Sequence, residues 1–349
     1  MKYKLLGRSG LRVSELCLGT MTFGEERAAM GNTRDECRKI FDAFVGAGGN
    51  FIDTANKYMN GTSERWVGEF LGSDREKLVV ATKYTLTMDP DDPNAHGNHR
   101  KNLVQSVEAS LGRLNTDYLD ILWVHAWDFM TSVDQVMRAL DDLVRTGKVL
   151  YLGISNTPAW IVAQANTLAH LRGWTPFSAL QVPYNLTERS VEREFLPMAD
   201  SMDLAVTAYF SLAAGILTGK YNQEGNGPRR LGPGSPVGIF EVKQEKLDIA
   251  AEVIKIAQDI NRTPAQVALN WVRQHRGRAV MIPIIGARTE AQIRDNLGCL
   301  DFELEAVHMD QLDQLSKIPP GYPHELLQSD MYQNLVYGNT FDSIDNHNK

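Results

Sequence analysis

Apolar residues in this chain fall into short unbroken runs, alternating with longer stretches in which they recur at three- and four-residue spacing. The first kind predicts strands covered on both faces, the second amphipathic helices. Lys2 to Leu6 and Val13 to Leu16 flank the turn GRSG and predict a β-hairpin, with Gly7 and Gly10 supplying the turn. The run LCLGT then precedes a helix that Thr33 and Glu36 are placed to open as a capping box, with Ile40, Phe41 and Phe44 at helical spacing. Strand Asn50 to Asp53 leads to a helix from about Ser63 to Leu71, and strand Leu78 to Lys83 to a helix from about Lys101 to Gly112. Strand Tyr118 to His125 precedes a helix that Ser132 and Gln135 are placed to cap and Gly147 to end. Strand Val149 to Ser155 precedes a helix with Pro158 at its start. Further strands are predicted at Ala179 to Val182, Leu204 to Tyr209 and Val280 to Ile284, with TPAQVALNWVRQH as an extra helix before the last.

Eight strand-helix units in series imply parallel pairing through crossovers, and eight is the number that closes a barrel. The predicted fold is therefore α/β, a (β/α)8 TIM barrel over residues 1–349 as one domain. The hairpin (1–16) lies across its bottom and a C-terminal tail (317–349) follows it. A doubly wound open sheet is the competing architecture, but no GxGxxG opens the first helix; LGTMTFG is a different turn. Two irregular stretches, Tyr84 to His99 and Phe210 to Phe240 with its run GNGPRRLGPGSP, both follow strands, which puts them at the catalytic face of a barrel. The tail carries Tyr322, Tyr332 and Tyr337 among polar residues and reads as frayed at its end.

Composition narrows the function classes. A formal charge of −7 with both signs mixed along the chain gives no extended basic face, so nucleic acid is not an expected partner. Cys17, Cys37 and Cys299 have no CxxC spacing, and neither a disulfide framework nor a metal is expected. The start MKYKLLGRSG has no apolar signal core, and no run approaches the ~20 apolar residues needed to cross a bilayer. No membrane association is expected, and the expected compartment is cytoplasmic.

The stretch NFIDTANKY ends a buried strand in a carboxylate, Asp53, with the phenol of Tyr58 in the turn after it. An apolar strand tip is an expensive place for a charge, so Asp53 calls for a partner. Lys83 and His125 end the next two strands and would meet Asp53 and Tyr58 at one rim. A free tyrosine, with a pKa of about 10, donates poorly near neutrality. A neighbouring ammonium stabilises its phenolate, and a buried carboxylate keeps that ammonium charged and fixed. Tyr58 then reads as general acid toward a carbonyl oxygen, Lys83 as its tuner, Asp53 as the group orienting Lys83, and His125 as a hydrogen-bond partner of the same oxygen. No side chain supplies hydride, so a cofactor must. Taken singly, each has a bland explanation: a structural histidine, a buried ion pair, a packing tyrosine.

In order and spacing these residues resemble the active-site tetrad of the aldo-keto reductase superfamily, and the likeness runs from the hairpin to about Ser316. The resemblance implies a (β/α)8 barrel that transfers hydride between a nicotinamide cofactor and a carbonyl. It also implies cofactor contacts. Gly19 and Thr20 resemble the first-strand contact, and Asp53, at the end of the second strand, counts among the implied cofactor contacts as well. Ser155, Asn156 and Gln181 resemble the groups that bond the carboxamide, and Tyr209 the aromatic under the nicotinamide ring. LAAGILTGKY, with Leu212 and Lys220, resembles the pyrophosphate loop, and IPIIGARTEAQIRDN, with Gly286, Arg288, Gln292 and Asn296, the adenosine-phosphate motif. Arg288 just ahead of a helix start would set a guanidinium and a helix N-terminus on one anion, favouring NADPH. The chain departs from the family pattern at Tyr209-Phe210-Ser211, where a small residue and proline usually follow the aromatic, and at Asn56 and Lys57.

Met21, Phe23, Tyr84, Trp127 and Phe210 fall on the expected mouth and suggest a pocket for apolar or aromatic aldehydes and ketones. HAWD, YLGISN, QVPYN and ILTGKY are most similar to the branch holding aryl-alcohol dehydrogenase-like enzymes and potassium-channel β-subunits. The second relative supplies a rival reading: a cofactor-binding redox sensor or regulatory subunit with little turnover.

Overall fold

Every strand from Cys17 onward lies parallel to its neighbours, and the last pairs with the first to close a barrel. The computed structural model describes residues 1–26, 30–222, 242–275, 277 and 279–346. β1 (Tyr3–Leu5) and β2 (Arg12–Ser14) make the antiparallel hairpin. The barrel strands are β3 (Cys17–Gly19), β4 (Phe51–Asp53), β5 (Val79–Tyr84), β6 (Leu119–Val124), β7 (Val149–Ser155), β8 (Phe177–Pro183), β9 (Ala205–Tyr209) and β10 (Met281–Ile285). Around them run α1 (Arg34–Gly46), α2 (Thr62–Leu71), α3 (Arg100–Leu114), α4 (Val133–Arg145), α5 (Ala159–Arg172), α6 (Phe195–Met202), α7 (Gln244–Asp259), α8 (Pro264–Arg273), α9 (Glu290–Leu297) and α10 (Ala306–Ser316). The run GNGPRRLGPGSP lies outside the described residues.

The hairpin closes the bottom because its turn touches the starts of later strands. Arg8 donates its N–H to the Asp203 carbonyl at 3.0 Å, and Lys4 Nζ reaches the Met281 carbonyl at 2.6 Å. Gly7, at φ 54°, packs so tightly that a Cβ there would stand 2.3 Å from the Asp203 oxygen. Only glycine satisfies both conditions.

Two cores follow from strand alternation. Cys17, Phe51, Ala81, Ile121, Trp123 and Ala179 fill the barrel interior, while their chain neighbours pack outward against the helices. The indole of Trp123 lies over its register partner Gly153, where a Cβ would come within 2.2 Å of the ring. Carrying the inward series one step up each strand gives Gly19, Asp53, Lys83, His125, Ser155, Gln181 and Thr207, with Tyr209 a further step up β9. The inner core thus ends in a polar layer at the C-terminal rim.

Helix capping differs from expectation in two places. Thr33 accepts from the Glu36 N–H at 3.4 Å, but the Glu36 carboxylate bonds the Glu290 N–H at 2.6 Å instead of closing a box. Ser132 makes no side-chain cap bond. A complete capping box opens α8 instead, through Thr263 and Gln266. The tail, for which the sequence predicts no element, carries two short helices: α11 (His324–Leu327) and α12 (Asp330–Tyr337), the latter capped by Ser329, bury no residue. Arg193 to the Pro319 carbonyl (3.1 Å) and His324 to Glu194 (3.1 Å) fasten it to the barrel flank.

Candidate active site

Lys83 Nζ bonds Asp53 Oδ2 at 2.5 Å and the Thr54 carbonyl at 2.8 Å, with the Lys83 side chain fully buried and that of Asp53 nearly so. The other carboxylate oxygen of Asp53 accepts from Gln181 Nε2 at 3.1 Å. Asp53 thus joins the ion pair to an amide from the opposite side of the barrel. The Lys83 ammonium stands 4.7 Å from the centre of the Tyr58 ring and engages the phenol as charge and hydrogen-bond partner. His125 meets the same ring edge-on at 6.1 Å between centroids. All four expected tetrad residues therefore converge.

Burial alone would push the Lys83 ammonium down, but Asp53 and then Tyr58 outweigh it and hold Lys83 above its ordinary range. It is a fixed cation at neutral pH. His125 goes the other way: burial, then the Lys83 charge, press it down to about 3, so its imidazole is neutral in the folded protein. An unfolded imidazole titrates near 6.5. As pH falls from about 6.5 toward 3, the unfolded chain takes up a proton that folded His125 refuses, so its contribution to stability is complete above that window and lost on descending through it. Replacing His125 with Gln should therefore flatten part of the acid-side loss of stability in melts between pH 7 and 4. An unchanged slope would mean that His125 is not held neutral.

The turn carrying Tyr58 is strained. Met59 (φ 46°) and Asn60 (φ 48°) follow it in the left-handed region. Residues other than glycine hold such backbone only where their surroundings dictate it. A hydroxyl cluster braces the two ends of this turn. Thr20 Oγ1 donates to the Asp53 carbonyl at 3.0 Å, and Ser63 lies within 2.8 Å of Thr20 and 2.9 Å of Thr54. Sequence reasoning missed Thr54 and Ser63, whose only signal was two small polar residues beside a buried strand end. Thr20 is fully buried, and its side chain serves Asp53. Asn56 is also fully buried, and neither amide atom has a hydrogen-bond partner.

The expected cofactor residues line one arc of the rim. Ser155 Oγ donates to the Gln181 carbonyl at 2.8 Å. Asn156, at φ 44°, donates from Nδ2 to the His125 carbonyl (2.8 Å) and accepts the Tyr209 hydroxyl on Oδ1 (2.9 Å). Tyr209 is thereby held edge-on to Phe210, and burial, with Tyr58 and Glu188, raises its hydroxyl to about 12. Leu212 begins a tight loop through Ala213, Ala214 and Gly215 at positive φ, and the Lys220 ammonium folds over Gly215, where it would lie 2.7 Å from an added Cβ. At the last strand Asn296 Nδ2 bonds the Gly286 carbonyl at 3.3 Å. Arg288 is exposed, and its N–H is held by Gln292 Oε1 at 2.8 Å. The α9 N-terminus is less open than expected: Thr289 takes the Gln292 N–H and Glu36 the Glu290 N–H. Any anion there would meet mainly the exposed Arg288 guanidinium. Amides, a hydroxyl, an aromatic face and a cation, in that sequence around the rim, suit a carboxamide, a flat ring and a phosphate; the donor set fits a nicotinamide dinucleotide.

The substrate wall needs two corrections. Phe23 is fully buried, edge-on to Phe70 of α2 at 6.1 Å. Tyr84 is buried among the helices because it follows Lys83 on a strand, and period-two alternation turns it outward. Met21, Trp127 and Phe210 remain partly exposed at the mouth.

The sequence profile of the Aldo/keto reductase family matches residues 15–317. Among similar proteins are a norsolorinic acid reductase of Aspergillus flavus, 38% identical over 93% of this chain and 83% of its own length, and an aryl-alcohol dehydrogenase of Pestalotiopsis microspora, 36% identical over 93% and 85%. A putative aryl-alcohol dehydrogenase of Saccharomyces cerevisiae is 35% identical over 92% and 88%.

Proposed function

We infer, from the premise that this chain belongs to the aldo/keto reductase family, that it reduces apolar or aromatic aldehydes and ketones to alcohols with NADPH. The observation that carries the reading is the buried Asp53–Lys83 pair set against the Tyr58 phenol. NADPH, when bound, supplies the hydride. Ser155, Asn156 and Gln181 would hold its carboxamide, Tyr209 its ring, Lys220 its pyrophosphate and Arg288 its 2′-phosphate.

The chain's own groups manage the proton. As Tyr58 gives its proton to the carbonyl oxygen, the adjacent ammonium stabilises the phenolate left behind. Asp53 cannot follow that charge away, because Gln181 and Lys83 fix both its oxygens. His125, being neutral, donates a hydrogen bond to the same oxygen without competing as an acid. The aryl-alcohol dehydrogenases among its relatives and the half-buried Trp127 at the mouth support an aromatic substrate. No helix among the described residues is long and apolar enough to cross a membrane.

Titration of the purified protein with NADPH and NADH tests the cofactor choice. Arg288→Ala should weaken NADPH binding by about tenfold or more and leave NADH within about twofold, as loss of a charge-assisted phosphate contact implies. Equal losses for both would remove Arg288 from phosphate recognition.

A further inference from the structure

The segment around Arg288 is not held by β10 and α9 alone. Three side chains from the stretch running out of β3 into α1 bind neighbouring backbone groups there: Thr22 Oγ1 donates to the Ala287 carbonyl at 3.0 Å, Asn32 Nδ2 donates to the Arg288 carbonyl at 2.5 Å, and Glu36 Oε1 accepts the Glu290 N–H at 2.6 Å. Topology explains the meeting, since β3 and β10 are the strands that close the barrel and α1 and α9 follow them. Thr22 and Asn32 fix the course of the chain. Glu36 also brings a charge.

Little nearby cancels that charge. Lys39 stands 3.5 Å from the other Glu36 oxygen but is 58% exposed, and an exposed pair of this kind is weak. The Arg294 guanidinium is taken by Glu290 at 2.7 Å. Glu36 is itself only 23% exposed, so water screens its carboxylate less than it screens Lys39. A carboxylate on the first N–H of a helix is well placed alone, but a second anion beside it is repelled. The two nicotinamide dinucleotides differ at one point: NADPH carries a phosphate monoester, about −1.5 to −2 in charge at pH 7, where NADH carries a ribose hydroxyl. A guanidinium suits the phosphate and a carboxylate the hydroxyl. Arg288 and Glu36 therefore pull in opposite directions.

We propose that Glu36 is a specificity-determining residue, whose carboxylate opposes the 2′-phosphate that Arg288 attracts and so narrows the preference for NADPH over NADH. The proposal rests on the reading of Arg288 as the partner of that phosphate. Its test is a fluorescence titration of the full-length protein with each cofactor, in the absence of substrate. Glu36→Gln keeps an acceptor for the Glu290 N–H and removes only the charge. It should tighten NADPH binding about five- to tenfold and leave NADH within about twofold. Most of that gain should vanish as salt rises from about 0.02 to 0.5 M, because screening weakens the repulsion that the substitution relieves. NADPH affinity that is unchanged or weakened in Glu36→Gln would overturn the proposal. An equal gain for both cofactors, or a gain that salt does not touch, would overturn it as well, since neither is the mark of a charge acting on the phosphate. Arg288→Ala, titrated alongside, isolates the premise: equal losses for NADPH and NADH would take the phosphate away from Arg288 and the proposal with it. Binding of neither cofactor by the unaltered protein would sink the reductase reading itself.

Discussion

Tyr58→Phe should lower kcat for carbonyl reduction by about 10²–10⁴-fold, the usual worth of a positioned general acid, while NADPH affinity stays within about threefold. The change is narrow. The ring that meets Lys83 at 4.7 Å and His125 at 6.1 Å remains, and only the hydroxyl goes. Lys83 keeps Asp53 and the Thr54 carbonyl as partners, so the buried charge is not stranded. Steady-state kinetics beside a cofactor titration separate the outcomes. Unchanged turnover would remove Tyr58 as the acid, and a matching loss of cofactor affinity would make its role structural.

Lys83→Met should be worse, because it harms fold and chemistry together. It leaves Asp53 charged and almost fully buried with a single amide donor, Gln181. Breaking one side of a buried pair costs about 3–5 kcal/mol, whereas replacing both sides is often close to neutral. The double variant Asp53→Asn with Lys83→Met should therefore regain most of the stability in a denaturant melt and none of the activity. A double variant no more stable than the single one would show that the pair is not the source of the loss.

The barrel was legible because its strands are apolar on both faces and its helices on one, so the period changes at each boundary. The tetrad was legible because three of its members are polar residues at the ends of apolar strands. Phe23 and Tyr84 were misplaced for a related reason: sequence puts them near the mouth, but strand alternation and packing on α2 decide which way they face. The hydroxyl cluster of Thr20, Thr54 and Ser63 was beyond reach, since it joins three segments that only closure of the barrel brings together. The same holds for Glu36, which reads as part of its own helix start yet caps α9 across the barrel seam. The bond from the Asn98 N–H to Asp128 likewise bridges two loops thirty residues apart.

Tyr58, Lys83, Asp53 and His125 are together expected to turn a bound nicotinamide into a carbonyl reductant. Absorbance at the nicotinamide band, followed while purified protein and NADPH meet a panel of aromatic and aliphatic aldehydes, tests it most directly. Oxidation of NADPH with one equivalent of alcohol formed is expected, fastest with aromatic aldehydes. Tight NADPH binding without oxidation by any carbonyl would contradict it and leave a cofactor-binding sensor in its place.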